Sequence, residues 1–287
     1  MPTDRHPVDH DEARRQAGET AEVLFDGEIP DITSGVAEVQ TSAPGFAEAL
    51  ALWLIANDPS AQEVRTIDAA ALTSDLTAGM FLAAAVEPGA PFSVTVNGSP
   101  MTFHGNGIHF HIALDTWMPV YWWYRLSRST QSRAAVNVLT RDQILRDGHW
   151  ARHRVHMYDA FIALDNDEPD WIDHVHLALE TVGRPAPTDG MEAQYIHKPL
   201  LHMLIAIDDD NQDAFTDALV TGIETHRRYW TRNEKFAADC EGFTSIPLAA
   251  ICALAVDRGL TIAVESDYLP SGLIAPSWYP VMKGSVG

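Results

Sequence analysis

Histidine is the residue type in this chain whose spacing most directly suggests a chemical site, because imidazole nitrogens bind transition metals. Three histidines recur at i, i+4 and i+7, the spacing of one helix face: His149, His153 and His156. The glutamate of the zinc motif H-E-x-x-H is missing beside them. In a second group, His109 and His111 would share a face if their segment is extended, and His104 is near them in sequence. Each group is a candidate metal site, and exposed or hydrogen-bonded histidines are the alternative interpretation.

Two carboxylate-rich segments form the second candidate site. Their acidic residues are Asp165, Asp167 and Glu168 in the first segment and Asp208, Asp209 and Asp210 in the second. An EF-hand calcium loop needs glycine at its sixth position, which is Asp170 or Asp213 here, so calcium is disfavoured. Carboxylates before a helix can cap its free N–H groups, and they can also present negative charge to a partner. We hypothesise that these six residues contact a protein partner, with helix capping as the alternative.

Motifs for nucleophilic or nucleotide-dependent catalysis are absent from the sequence. It contains no G-x-S-x-G elbow, no P-loop and no C-x-x-C pair, each of which has a defined chemical role. Its two cysteines, Cys240 and Cys252, do not support a secreted disulfide scaffold. We therefore predict a protein that is not an enzyme and that carries no cofactor.

The charge balance narrows the class of partner. Lys and Arg number 19 against 40 Asp and Glu, so the formal net charge is −21. Nucleic acid and anionic membranes attract basic surfaces, so neither is an expected partner. The negative charge either keeps the protein soluble or steers a basic protein towards it. No segment resembles a signal peptide, and no run reaches the ~18 apolar residues of a membrane span, so we expect a cytoplasmic location.

Helical periodicity dominates the chain, with one exception. Residues 92–96 and 99–103 alternate in polarity around Asn97-Gly98, which predicts a β-hairpin. The following segment concentrates aromatic residues that favour a core anchor over a ligand platform, because no cofactor motif accompanies them: Trp117, Tyr121, Trp122, Trp123 and Tyr124. Residues 1–20 are polar, and we predict a flexible tail or a weakly formed helix there.

An internal repeat predicts the architecture of the C-terminal half. Residues 161–171 are echoed by residues 204–215, and each copy is typical of a helix, an acidic turn and a second helix. Paired helices of this kind stack side by side. Residues 244–259 are apolar nearly all round, which predicts a central buried helix. The predicted fold is mainly α, with stacked antiparallel helical pairs and one hairpin, as a single domain over residues 21–287.

A cluster of basic and aromatic residues ends the second repeat, and several further motifs follow it along the chain. The set comprises His226, Arg227, Tyr229, Trp230, Gly242, Asp267, Tyr268, Leu269 and Pro270, with the apolar run 247–259 between them. In this order and spacing, the chain resembles the immunity protein 49 family of bacterial polymorphic toxin systems over residues 134–273. The resemblance implies a cytosolic protein that neutralises a cognate toxin by binding it. It carries no catalytic residues over, and we expect the matched residues to maintain the shared fold.

Three functions therefore stay open. The first is an immunity protein whose acidic turns contact a toxin, and we expect that toxin to be basic because the turns are acidic. The second is a helical-repeat scaffold for another protein partner. The third is a metal hydrolase that uses the face of His149, His153 and His156.

Overall fold

A computed structural model describes residues 4–36, 39–146, 148–182 and 190–279. The helices of the first half are α1 (His10–Glu22), α2 (Ile29–Thr33), α3 (Val39–Asn57), α4 (Val64–Ala85), α5 (Leu114–Ser127), α6 (Thr130–Asn137) and α7 (Arg141–Ile144). A π-helical turn, Val23–Glu28, joins α1 to α2. Strands β1 (Pro91–Val96) and β2 (Ser99–His104) follow α4.

In the second half, the regular elements of the described part are all helical. Its helices are α8 (Arg152–Asp165), α9 (Trp171–Val182), α10 (Gly190–Glu192), α11 (Lys198–Asp208), α12 (Gln212–Trp230), α13 (Glu234–Ala237), α14 (Ile246–Asp257) and α15 (Ser271–Ile274). A π-helical turn, Ala193–His197, joins α10 to α11, and a 3-10 turn, Cys240–Gly242, precedes α14. The predicted mainly α fold with one hairpin is confirmed.

We predicted a flexible tail or a weakly formed helix for residues 1–20, and from His10 onwards they form helix α1. Asp9 caps α1 by accepting hydrogen bonds from two backbone N–H groups, and α1 packs against α3. Two alanines one turn apart, Ala13 and Ala17, are buried. Their small side chains provide an apolar stripe that the polar composition of the segment conceals. Residues 1–3 and 280–287 lie outside the described part of the chain.

The hairpin forms where Asn97-Gly98 predicted it. Strands β1 and β2 pair antiparallel, with Val96 opposite Ser99. Asn97 has φ 45° and Gly98 has φ 74°, as a tight two-residue hairpin turn requires. The carboxylate of Asp75, on α4, accepts a hydrogen bond from the backbone N–H of Asn97, which fixes the hairpin against the core.

The repeat corresponds to two helical pairs that share one turn geometry. Helix α8 packs on α9, α9 on α11, and α11 on α12. In the first turn the N–H of Glu168 bonds the carbonyl of Ala163 at 2.9 Å, and in the second Asn211 bonds Ala206 at 2.9 Å. Asp167 and Asp210 both have positive φ, 55° and 50°. Each turn is therefore a Schellman motif that ends the preceding helix.

The acidic turns thus terminate helices, whereas the alternative interpretation from the sequence was that their aspartates cap the start of the next helix. Asp tolerates the left-handed conformation because its short polar side chain bonds locally, so Asp167 and Asp210 can occupy the position that usually holds glycine. The N-cap of α12 is Asn211, whose side chain accepts the N–H of Ala214 at 3.0 Å.

Helix α14 and the aromatic segment on α5 form the centre of the core. Helix α14 is buried from Leu248 to Ala255, and the aromatic residues of α5 are core anchors, as expected, with Trp117, Tyr121 and Trp123 fully buried. Two segments are long and apolar enough to cross a membrane, Val64–Ala85 and Cys240–Asp257, but 83% and 72% of their apolar windows are buried inside the fold. Burial of this extent is typical of core helices.

Candidate functional site

An acidic cavity of about 540 Å³ lies where α3, α5, α10, α12 and the segment after α13 converge. Five carboxylates from separate parts of the chain line it: Glu48, Asp115, Glu192, Asp239 and Glu241. Its aromatic walls are Trp122, Tyr229, Trp230 and Phe236. Among the described lining residues, Arg154 is the one guanidinium, and it already pairs with Asp115. The cavity therefore has an excess of negative charge.

Burial and mutual repulsion perturb the carboxylates of this acidic cavity. Burial raises the pKa of Glu48, although the indole N–H of Trp123 donates a hydrogen bond to it at 2.9 Å. Partial burial, followed by the charges of Glu48, Asp239 and Glu192, raises the pKa of Glu241 to about 7. At neutral pH this carboxyl group is divided between its acid and ionised forms. A cation that entered the cavity would favour the ionised form.

Several residues of the sequence signature form one wall of the acidic cavity. His226 is buried, and burial lowers its pKa to about 3, so the ring is neutral. Its Nε2 lies 3.2 Å from the carbonyl oxygen of Gly242. A Cβ atom at Gly242 would lie 3.1 Å from Trp230, so glycine permits this close approach. These contacts position the cavity wall.

The rest of the signature connects this wall to the N-terminus. Tyr268 is fully buried, and its ring packs edge-on against His226. Its hydroxyl lies 2.8 Å from Nδ1 of His6, and its carbonyl accepts the N–H of Ser245. The remaining members divide between buried and exposed positions: Leu269 and Pro270 are buried, whereas Arg227 and Asp267 are exposed.

Of the six acidic-turn residues predicted to contact a partner, Asp165 is the one that is buried. Its side chain is 1% exposed and forms an ion pair with Arg125. Arg125 in turn lies over the rings of Tyr121 and Tyr124. The carboxylate of Asp165 is therefore part of the core, where it pairs with a largely buried guanidinium from α5. The other five are exposed: Asp167, Glu168, Asp208, Asp209 and Asp210.

The histidine face predicted on α8 does not form. His149 is exposed and precedes the helix, which begins at Arg152. His153 is buried, with its Nε2 3.0 Å from Nδ1 of His197, whereas His156 lies in a different group, beside His174. The i, i+4, i+7 pattern fails because the helix starts after its first member.

The upstream histidines do not combine into a metal-binding group within the described ranges. The backbone N–H of His104 bonds Gln40, and Nδ1 of His109 accepts the backbone N–H of His111 at 3.3 Å. The contact between His109 and His111 is that of a turn.

A second, larger cleft of about 860 Å³ lies between α11 and α12. It includes Asp209 and Asp217, but also Lys198 and His202. Its charge is therefore more balanced than that of the acidic cavity, which is the better candidate for a cationic ligand.

Sequence reasoning missed all five carboxylates of the acidic cavity. They come from segments between residues 48 and 241, so no local spacing unites them. The one available signal was the pair Asp239 and Glu241, which comes directly before the signature residue Gly242.

The fold and the cavity define a mainly α protein of stacked helical pairs. It has a negatively charged cavity and no recognised catalytic motif in its sequence. The family model of immunity protein 49 matches residues 58–273, and the chain belongs to this family. Membership indicates an immunity protein of a toxin system. The match begins well before residue 134, where the sequence resemblance began, and so includes α4, the hairpin and α5. No curated protein and no solved structure matches the chain significantly.

Proposed function

We propose that this protein neutralises its cognate toxin by binding it directly, and that the acidic cavity receives a lysine or arginine side chain of the toxin. The observation that carries the proposal is the excess of five carboxylates over one guanidinium around a cavity of about 540 Å³. Family membership supports a toxin as the partner. The basic chemistry of the contact, the direct binding and a cytoplasmic site of action are parts of the proposal.

The chemistry of the acidic cavity suits a cationic side chain. A carboxyl group with a pKa raised by burial and by like charges gains stability when a cation pairs with it. Aromatic faces add cation–π attraction, and the protein already uses one in this way, since the guanidinium carbon of Arg232 lies 3.9 Å from the ring centre of Tyr229. A basic side chain buried in such a pocket is a typical hot spot of a protein interface.

The exposed acidic turns support a second, weaker contribution. Asp208, Asp209 and Asp210 are open to solvent, and the chain carries a net charge of −21. Exposed charges of this kind accelerate the encounter with a basic partner, but salt screens them and they add little to the lifetime of the complex. We therefore assign steering to the turns and affinity to the cavity.

A perturbed pKa in a cavity can also indicate a catalytic group, so binding and catalysis must be compared. Two of the lining side chains that could act as a base or nucleophile already contact the backbone: His226 contacts the Gly242 carbonyl, and the Thr244 hydroxyl bonds the Tyr268 carbonyl. No nucleophile–base pair is formed in these contacts. Binding is the function that the geometry supports best.

Growth rescue tests the proposal. The toxin encoded next to this gene is co-expressed with the wild-type protein, with Glu48→Gln/Glu241→Gln, or with the matched control Asp208→Asn/Asp209→Asn. Both variants replace two carboxyl groups with amides and keep the side-chain size. We expect the wild type and the control to restore growth and to co-purify with the toxin, and the cavity variant to lose both.

Three other outcomes would each reject part of the proposal. Equal rescue by both variants would reject the acidic cavity as the contact. Rescue without a recoverable complex would reject direct binding and favour an enzymatic role. Absence of both rescue and complex with the wild type would favour a scaffold for another partner.

A further inference from the structure

We propose that His156, Asp159 and His174 bind one divalent transition-metal ion, zinc by preference, and that the ion links α8 to α9. This metal site is independent of toxin binding. Candidate ligand atoms of the three side chains all lie within 4.8 Å of one another. His156 and Asp159 are three residues apart on α8, so they share a face of that helix, and His174 reaches them from the first turn of α9.

Two unpartnered nitrogens support the metal site independently of this spacing. Nδ1 of His156 and Nδ1 of His174 are both buried, and neither has a hydrogen-bond partner. A buried polar atom without a partner costs free energy, so such atoms are uncommon. Two of them in one three-residue group indicate imidazoles arranged for a ligand other than a protein hydrogen bond.

The guanidinium of Arg141 orients the carboxylate of Asp159. Arg141 donates two hydrogen bonds to it, Nε to one carboxylate oxygen at 2.7 Å and Nη2 to the other at 3.1 Å. A carboxylate has about four lone-pair sites, so each oxygen keeps one for a metal. Outer partners that orient ligating carboxylates in this way are a regular feature of metal sites.

The ligand set selects the type of ion. Two imidazoles and one carboxylate form a common three-ligand set for zinc, with water as the fourth ligand. Calcium and magnesium prefer sites made entirely of oxygen. Burial lowers the pKa of His156, and the neutral imidazole is the form that binds a metal. A cleft of about 450 Å³ lined by Asp159 and His174 gives an ion and its water access.

The sequence did not indicate this metal site because its third ligand belongs to the other helix of the pair. Only the antiparallel packing of α8 on α9 brings His174 beside His156 and Asp159. The histidine pattern that did suggest a metal contributes His156 alone.

Zinc titration of the purified full-length protein tests the inference. After removal of metal by dialysis against a chelator, we expect one zinc per chain by calorimetry and by elemental analysis. His156→Ala and His174→Ala are each expected to weaken zinc binding at least tenfold. His176→Ala is the matched control, because His176 is an exposed histidine on the same helix, and we expect it to bind zinc as the wild type does.

Thermal unfolding provides a second readout that distinguishes metal binding from a folding defect. Zinc is expected to raise the melting temperature of the wild type and of His176→Ala, but not that of folded His174→Ala. Circular dichroism without zinc checks that the variant is folded. No stoichiometric zinc on the wild type, or unchanged binding by the variant His156→Ala/His174→Ala, would overturn the proposal.

Discussion

The two acidic turns offer a matched pair of substitutions, Asp165→Ala and Asp208→Ala, at equivalent positions of the repeat. Asp165 is buried and ion-paired with Arg125, whose side chain is 13% exposed, whereas Asp208 is exposed. Removal of Asp165 leaves the guanidinium with the hydroxyl of Tyr121 as a neutral partner, at 2.9 Å from its Nε. The same change at Asp208 leaves no buried charge behind.

The magnitudes differ accordingly. Breaking a buried pair by removing one partner costs about 3–5 kcal/mol, and the remaining bond to Tyr121 places Asp165→Ala near ~3 kcal/mol. A surface substitution without such partners changes the free energy of unfolding by about 0.5 kcal/mol or less. For a chain of this size a loss of ~3 kcal/mol lowers the melting temperature by roughly 5–10 °C.

Urea unfolding of the wild type and both variants, followed by circular dichroism, measures these values. The double variant Asp165→Ala/Arg125→Met is the control, because an apolar side chain in place of the unpaired charge is expected to recover part of the loss. Equal destabilisation by Asp165→Ala and Asp208→Ala would refute the assignment of Asp165 to the core, and would return it to the exposed acidic surface.

Three further predictions test other parts of the structure. Gly222→Ala is expected to lower the free energy of unfolding by about 1–3 kcal/mol, because its Cβ would lie 2.7 Å from a leucine side chain. Gly18→Ala, with open space around it, is expected to stabilise the helix by up to ~1 kcal/mol, and urea unfolding measures both. Tyr268→Phe removes the hydroxyl that accepts the backbone N–H of His6 at 3.1 Å, so we expect the free energy of unfolding to fall by about 1–3 kcal/mol and the N-terminal segment to be cleaved faster by protease. An unchanged cleavage rate would contradict the anchoring of this segment by Tyr268. The pKa of Glu241 is raised to about 7, and a bound cation favours the ionised form, so toxin affinity is expected to rise with pH up to about 7, by at most ~10-fold per unit, and then to level off; titration at pH 6, 7 and 8 checks this, with Glu241→Gln expected to flatten the profile.

The elements with strong local signals could be predicted from the sequence. The hairpin follows from Asn97-Gly98 between alternating segments, since that turn chemistry is local. The buried helix α14 follows from its continuous apolar composition. The paired helices follow from the repeat, because similar chain segments adopt similar turns, as the shared Schellman geometry at Asp167 and Asp210 shows.

The failures involve contacts between segments distant in sequence. The burial of Asp165 depends on Arg125, forty residues away. Asp165 and Asp208 therefore look alike in sequence but differ in burial. The polar composition of the N-terminal segment suggested a flexible tail. Its order comes instead from tertiary partners such as Tyr268. The acidic cavity and the group of His156 and His174 exist only after the helices pack.

Calorimetric titration of the cognate toxin into the purified protein tests the central claim most directly. We predict a one-to-one complex that Glu48→Gln/Glu241→Gln weakens at least tenfold and that Asp208→Asn/Asp209→Asn weakens threefold or less at physiological salt, because buried interface charges affect affinity more than exposed ones. Wild-type binding with equal affinity losses in the two variants would contradict the claim that the acidic cavity holds the toxin, and no heat of binding with the wild type would contradict neutralisation by direct binding.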